Sequence, residues 1–279
     1  MSEITLLGAN EIRAIAAELK LQPAKSLGQN FVIDANVCRK IVRLANIDSG
    51  DHVVEIGPGI GSLTLAIRQS ASRVTAIEID ARLAARLNQT ALEHGVRTGL
   101  SIIHADALSI DEIADAPTKL VANLPYNVSV PVLLHFLERF PTIQAGVVMV
   151  QREVAERLAA KPGSKSYGAP SVKAAWWAEL ELSDEVSRSI FWPVPNVDSA
   201  LVSFKRHVPL GDEALRERTF DLVDRAFGQR RKMLRAALSS RFGSSQAAQN
   251  HLERSGIDPT LRGEALTVLQ FRALAATLD

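Results

Sequence analysis

The feature that most constrains this chain is the alternation, up to about residue 205, of short apolar runs with segments of helical period. After "NFVID", Asp34 caps a helical stretch to about Asn46. Then come "HVVEIG" (strand), "SLTLAIRQSA" (helix), "RVTAIEID" (strand) and "ARLAARLNQTALEHG" (helix). "LSIIHAD" and "KLVAN" (strands), "SVPVLLHFLERF" (helix) and "AGVVMVQ" (strand) complete the run. The order β-α-β-α-β-β-α-β predicts an α/β fold, a mostly parallel sheet with helices on both faces. "ELSDEVSRSI" and "SALVSFKRH" read as two more strands around the turn-rich "FWPVPNVDS", and beyond Pro209 only helical patterns remain. Residues 1–207 are therefore expected to form the α/β domain, with an N-terminal extension whose first helix is capped by Asn10, and residues 208–279 a small all-helical domain.

Charge and cysteine content narrow the partners. A formal net charge of +1 gives no global reason to expect nucleic acid, so an RNA partner has to be met by a local patch. Cys38 is the only cysteine, which excludes a disulfide framework and fits a reducing compartment. No histidine spacing suggests a metal; His104, His135 and His207 are scattered. The N-terminus lacks a basic-then-apolar leader and no apolar run reaches membrane-span length, so a cytoplasmic location is expected.

Four stretches carry chemistry, each at the end of a strand. In "VVEIGPGIGSLT", Glu55 leads into Gly57, Gly59 and Gly61 at a strand-to-helix turn, where glycine lets backbone approach a ligand closely. Glu78 ends the second strand about 20 residues on, in place to accept hydrogen bonds from ribose hydroxyls. The glycines read G-x-G-x-G behind an acid, not G-x-G-x-x-G, which favours the adenosine of S-adenosylmethionine over a pyrophosphate. Such a turn can also be purely structural. Asp106 ends "IIHAD", where its carboxylate would accept the adenine amino group or simply cap the next turn.

The fourth stretch is Asn123-Leu124-Pro125-Tyr126. An adenine amino group is a poor nucleophile because its lone pair is delocalised into the ring. The Asn123 side-chain oxygen and the Leu124 carbonyl together would hold both amino hydrogens, favour a pyramidal nitrogen and aim its lone pair at a methyl donor. Pro125 would fix the turn that exposes the Leu124 carbonyl, and Tyr126 would stack on the base. The bland alternative is a strand-terminating proline with a core tyrosine.

Taken in order, "LGQNFVID", "VVEIGPGIGSLT", "IEID", "HADAL", "NLPYNVSVPVL", "SKSYGAPSV", "FWPVPNVDSALVSF", "AFGQRRKMLRAAL" and "GIDPTLRGEAL" resemble the ribosomal RNA adenine dimethyltransferase family. The likeness runs from Lys25 to the last helix. It implies a Rossmann-like methyltransferase sheet with S-adenosylmethionine as cofactor. The implied substrate is N6 of two adjacent adenosines in the 3′-terminal hairpin loop of 16S rRNA, within the immature 30S subunit, and the implied state is a monomer. Family positions fall on Gln29, Asn30, Val32, Glu55, Gly57, Gly59, Glu78, Asp106 and Asn123 as cofactor contacts and on Asn123 to Tyr126 as the catalytic motif. Phe191 matches an aromatic that covers the target base opposite Tyr126, as an enzyme acting on an extruded nucleotide requires.

Two positions depart from the family: Asn196 stands where a base is frequent, and Lys25 is a single base before "LGQNF". Each removes a potential phosphate contact. RNA contact is expected from Arg225, Arg230, Arg231, Lys232 and Arg235, with Arg241 nearby, on a basic helical face whose apolar side holds Phe227, Leu234 and Leu238. A solvated face paired to Asp221 and Asp224 is the plain alternative. Loop 162–170 is a candidate to close over RNA. Other readings are a large-subunit rRNA methyltransferase, an assembly factor with methylation secondary, and a nicotinamide-dependent dehydrogenase, which leaves Asn123 to Tyr126 without a purpose.

Overall fold

The computed structural model describes residues 3–21 and 30–278. Lys25 and Gln29 lie outside the described residues. Two compact units divide the chain: the first runs as far as Ala155 and includes Glu181–Arg206, the second takes Glu156–Leu180 and everything from His207.

The first unit is built on a seven-stranded sheet. Its parallel part holds β2 (His52–Ile56), β3 (Arg73–Glu78), β4 (Leu100–His104), β5 (Lys119–Asn123) and β6 (Ala145–Gln151). β9 (Ser199–Arg206) runs antiparallel to β6, and β7 (Ala178–Val186) forms the edge, giving the order β4-β3-β2-β5-β6-β9-β7. β2 is buried at every position, as a parallel strand covered on both faces must be. The crossover helices are α3 (Ser62–Arg68), α4 (Ala81–Glu93) and α5 (Ser129–Arg139). The strand order reverses between β2 and β5, so Ile56 and Asn123 open side by side into the crevice where such sheets bind ligands.

Local chemistry sets the element ends. Asp34 caps α2 (Ala35–Leu44) by accepting from the Asn36 N–H at 2.8 Å. The expected Asn10 cap is not the one used. α1 (Ala9–Glu18) starts after Gly8, whose N–H donates to the Glu11 carboxylate at 2.8 Å, while Asn10 accepts from Arg13 inside the helix. Capping by a glycine N–H and an acid three residues on costs Asn10 its role. A two-residue ladder that the sequence reading did not foresee joins β1 (Phe31–Val32) to β8 (Phe191–Trp192), pairing Val32 with Phe191.

The second unit is helical apart from the start of β7, with α8 (Glu213–Gly228), α9 (Leu234–Ala237), α10 (Ser239–Phe242), α11 (Ser245–Arg254) and α12 (Val268–Ala275). It also takes in the end of α6 (Arg152–Leu158), α7 (Ala169–Ala174) and the loop between them, whereas the sequence pattern predicts them in the α/β domain. The cause is packing: Tyr167 and Val172 are buried in one cluster with Leu222, Val223, Leu234 and Phe271. The Tyr167 hydroxyl donates to the Leu266 carbonyl at 2.9 Å, and Lys173 pairs with Asp224 at 2.7 Å. Loop 162–170 is pinned inside this unit, since Gly163 donates to the Glu264 carbonyl (2.8 Å) and Arg230 to that of Lys165 (2.8 Å).

Candidate active site

The ends of β2, β3 and β5, with the turn after β4, form the wall of one open cavity in the first unit, with about 1010 Å³ of space including its mouth. Asn30, Val32, Glu55, Gly57, Gly59, Glu78, Asp106, Asn123, Leu124, Pro125 and Tyr126 all line it, so the residues singled out at four strand ends meet at one place.

The glycine turn is shaped for close approach. Gly57 and Gly59 sit at φ of 67° and 58°, in the left-handed region that disfavours a side chain. A Cβ on Gly59 would stand 3.0 Å from the Phe31 ring, itself part of the wall. Glu78 fixes the turn: one carboxylate oxygen accepts from the Gly59 N–H at 3.0 Å and the other from the Asp80 N–H at 3.0 Å. Burial raises its pKa, opposed by those same backbone N–H groups. Asp106 caps the next turn through one oxygen (Leu108 N–H, 3.0 Å) and also lines the cavity.

Glu55 carries the strongest electrostatic signal. It is 1% exposed, its Oε2 has no hydrogen-bond partner, and burial, with the Glu78 charge adding, pushes its pKa up to about 8. A buried carboxyl with an unpartnered oxygen is an unmet polar group in the cavity wall.

At the end of β5 the Asn123 side-chain N–H₂ donates to the Asn30 carbonyl at 3.1 Å, which turns the amide oxygen the other way. No donor among the described residues engages that oxygen or the Leu124 carbonyl, whereas the Leu124 N–H is held by the Met149 carbonyl at 3.0 Å. Both residues line the cavity, so these two acceptors have no partner among the described residues at the site itself. Tyr126 follows, its hydroxyl 2.8 Å from that of Ser199.

Phe191 is not part of the site. It is 1% exposed and packs in the core with Val32, Cys38 and Leu201, because its ladder with β1 draws the ring beneath the strand. Trp192 is the half-buried member of the pair, stacked on Phe31 at 6.4 Å between ring centroids. Sequence reasoning missed the apolar wall of Phe31, Ile60, Ile79, Leu83 and Val132. Ile79 had a readable signal: a large aliphatic just past a strand end, here 51% exposed.

The profile of the family described as "Ribosomal RNA adenine dimethylase" matches residues 21–279. The chain belongs to that family. This dimethylase is 56% identical to a protein of Leifsonia xyli subsp. xyli named ribosomal RNA small subunit methyltransferase A, over 99% of this chain and 100% of that one. A protein of Thermobifida fusca with the same name is 51% identical, over 98% and 96%. Among solved structures, a dimethyladenosine transferase from Plasmodium falciparum matches the fold with a TM-score of 0.74 at 24% identity, covering 86% of this chain and 94% of its own. The 23S rRNA methyltransferase ErmE matches at 0.68 and 28%, covering 90% and 100%. The dimethylase fold is thus the Rossmann-like sheet of the methyltransferases, and the glycine cradle and the apolar wall at Ile79 fit the adenosine of S-adenosylmethionine.

The expected RNA-contacting residues of the dimethylase all lie in the second unit. Arg230, Arg231 and Lys232 are exposed in the turn between α8 and α9, not on a helical face. Arg230 is already spent on Glu264 at 2.9 Å, and Arg225 on Asp221 at 2.8 Å. Arg235 is half-buried and reaches Gln249 at 3.4 Å. In the first unit, Arg188 donates to the Asn196 carbonyl at 3.2 Å, which puts a cation at the linker position where residue 196 itself is neutral.

Proposed function

We propose that this dimethylase uses S-adenosylmethionine to methylate N6 of two adjacent adenosines in the 3′-terminal hairpin loop of 16S rRNA, within the immature 30S subunit, as a cytoplasmic monomer. The observation that carries the reaction is the pair of free acceptors at Asn123 and Leu124, its amide direction set by the Asn30 carbonyl. The small-subunit substrate is supported by the names of the relatives at 51–56% identity, against 28% for the large-subunit enzyme. Among the described residues no helix is long and apolar enough to cross a membrane, and no three or more His, Cys, Asp or Glu side chains are grouped to hold a metal ion.

Asn30, Val32, Glu55, Gly57, Gly59, Glu78, Asp106 and Asn123 would hold the cofactor, with Gln29 carried over from the family resemblance alone. When bound, the cofactor supplies an electrophilic methyl group. Asn123 and Leu124 accept the two amino hydrogens, keep the nitrogen pyramidal and direct its lone pair, so that no proton has to leave before the nitrogen forms its new bond. The proton departs afterwards to solvent. Tyr126 stacks on the extruded base, and Arg231 and Lys232 hold RNA phosphates.

Replacing Asn123 by Ala is expected to cut methyl transfer by about 10²–10³, the loss seen when one aligned polar group is removed from a reacting centre, with binding to small subunits retained. Loss of particle binding in parallel would contradict the role given to Asn123.

A further inference from the structure

We propose that Ser199 is a positioning residue for this reaction, holding the Tyr126 ring at the cavity wall through its buried hydroxyl. The two oxygens are 2.8 Å apart, joining residues 73 apart in sequence, and Ser199 is 0% exposed. A hydroxyl withdrawn from water needs a hydrogen-bond partner, and the phenol is the one it meets. Its neighbours Ala200, Leu201 and Val202 on β9 are all buried aliphatics, so the hydroxyl stands out in an otherwise apolar strand start.

The support behind the serine is rigid. Ser199 pairs with Gln151 at the end of the β6–β9 ladder. One residue earlier, the Asp198 carbonyl accepts from the Arg152 N–H at 3.0 Å and the Asp198 carboxylate from the Arg188 N–H at 2.9 Å. The tether therefore connects a fixed strand end to the first ring after Asn123. With Phe191 packed in the core, Tyr126 has no second ring from that position to share the work, so its orientation decides how the base lies against the two acceptors. Misplacing a reacting group by about 1 Å can cost 10²-fold. The inference rests on the reading of Tyr126 as the ring that stacks on the base.

The test compares Ser199→Ala, Tyr126→Phe, the double variant and Tyr126→Ala. Readouts are kcat and KM on small subunits, cofactor affinity by calorimetry, and fluorescence of 2-aminopurine placed at the target adenosine in an RNA hairpin. Either single loss of the bond is expected to lower kcat about three- to tenfold, the worth of one hydrogen bond, with cofactor affinity unchanged and weaker quenching of the 2-aminopurine. The double variant is expected to be no worse than the poorer single one, since both remove the same contact. Wild-type kcat and quenching in Ser199→Ala, or multiplied losses in the double variant, would overturn the proposal. Should Ser199→Ala not fold, Tyr126→Phe removes the same bond from the other side and decides alone. If Tyr126→Ala collapses activity while the other two remain at wild type, the tether is refuted and the stacking reading survives; wild-type activity in Tyr126→Ala refutes both.

Discussion

At Glu55 the fold keeps a carboxyl in the cavity wall with one oxygen unpartnered and a pKa near 8 in place of the ordinary 4.5. The protonated form is favoured at neutral pH, so the fold loses stability from this group as pH rises from about 4.5 toward 8, where the unfolded chain ionises first. A cationic group brought against this carboxyl would reverse the preference by stabilising the carboxylate. Cofactor affinity is therefore expected to climb between pH 6 and 8, flatten above about 8, and release a proton, measured by calorimetry in buffers of different ionisation enthalpy. Glu55→Gln is expected to bind more weakly and to lose the slope. The acids and the amide at the strand ends were legible as residues because a polar group closing an apolar strand has no local reason to be there. Phe191 was not, since only its pairing with Val32, far away in sequence, sends the ring into the core.

Among the elements, the β2–α3 turn and the α8–α9 turn do opposite work. The first brings backbone close to a ligand. Gly59→Ala forces a side chain into left-handed backbone and against Phe31. The expected cost is about 1–3 kcal/mol in stability, read from denaturant unfolding, together with a cofactor Kd at least tenfold higher. The second presents charge. Arg231 and Lys232 are exposed in their turn, while Arg225 and Arg230 are committed to Asp221 and Glu264. Replacing Arg231 and Lys232 by Ala is expected to weaken RNA binding and reduce the slope of log K against log salt by about one per residue, with cofactor affinity untouched. Helical period alone showed where the basic residues cluster, not which of them are already paired: Glu264 lies 34 residues from Arg230 and belongs to another turn. The strand and helix order of the sheet followed from period and burial, whereas the β1–β8 ladder of two residues per strand is too short to leave a pattern.

For the whole molecule, a net charge of +1 means that long-range attraction to RNA is weak and recognition depends on local contacts. The switch to helices only beyond Pro209 shows in the sequence, whereas the recruitment of Glu156–Leu180 into the second unit does not, because Tyr167 and Val172 reveal their core only when folded. Family membership, the free acceptors of Asn123 and Leu124 and the cradle for an adenosine cofactor converge on one claim, that this chain dimethylates adenosines of the small-subunit RNA. The measurement that tests it most directly is transfer from labelled S-adenosylmethionine to small subunits lacking the dimethyladenosines, with nucleoside mass spectrometry of the product and large subunits as control. N6,N6-dimethyladenosine at two adjacent positions of 16S rRNA, and none on large subunits, is the expected result. Cofactor binding without transfer to small subunits, or transfer to large subunits instead, would contradict it.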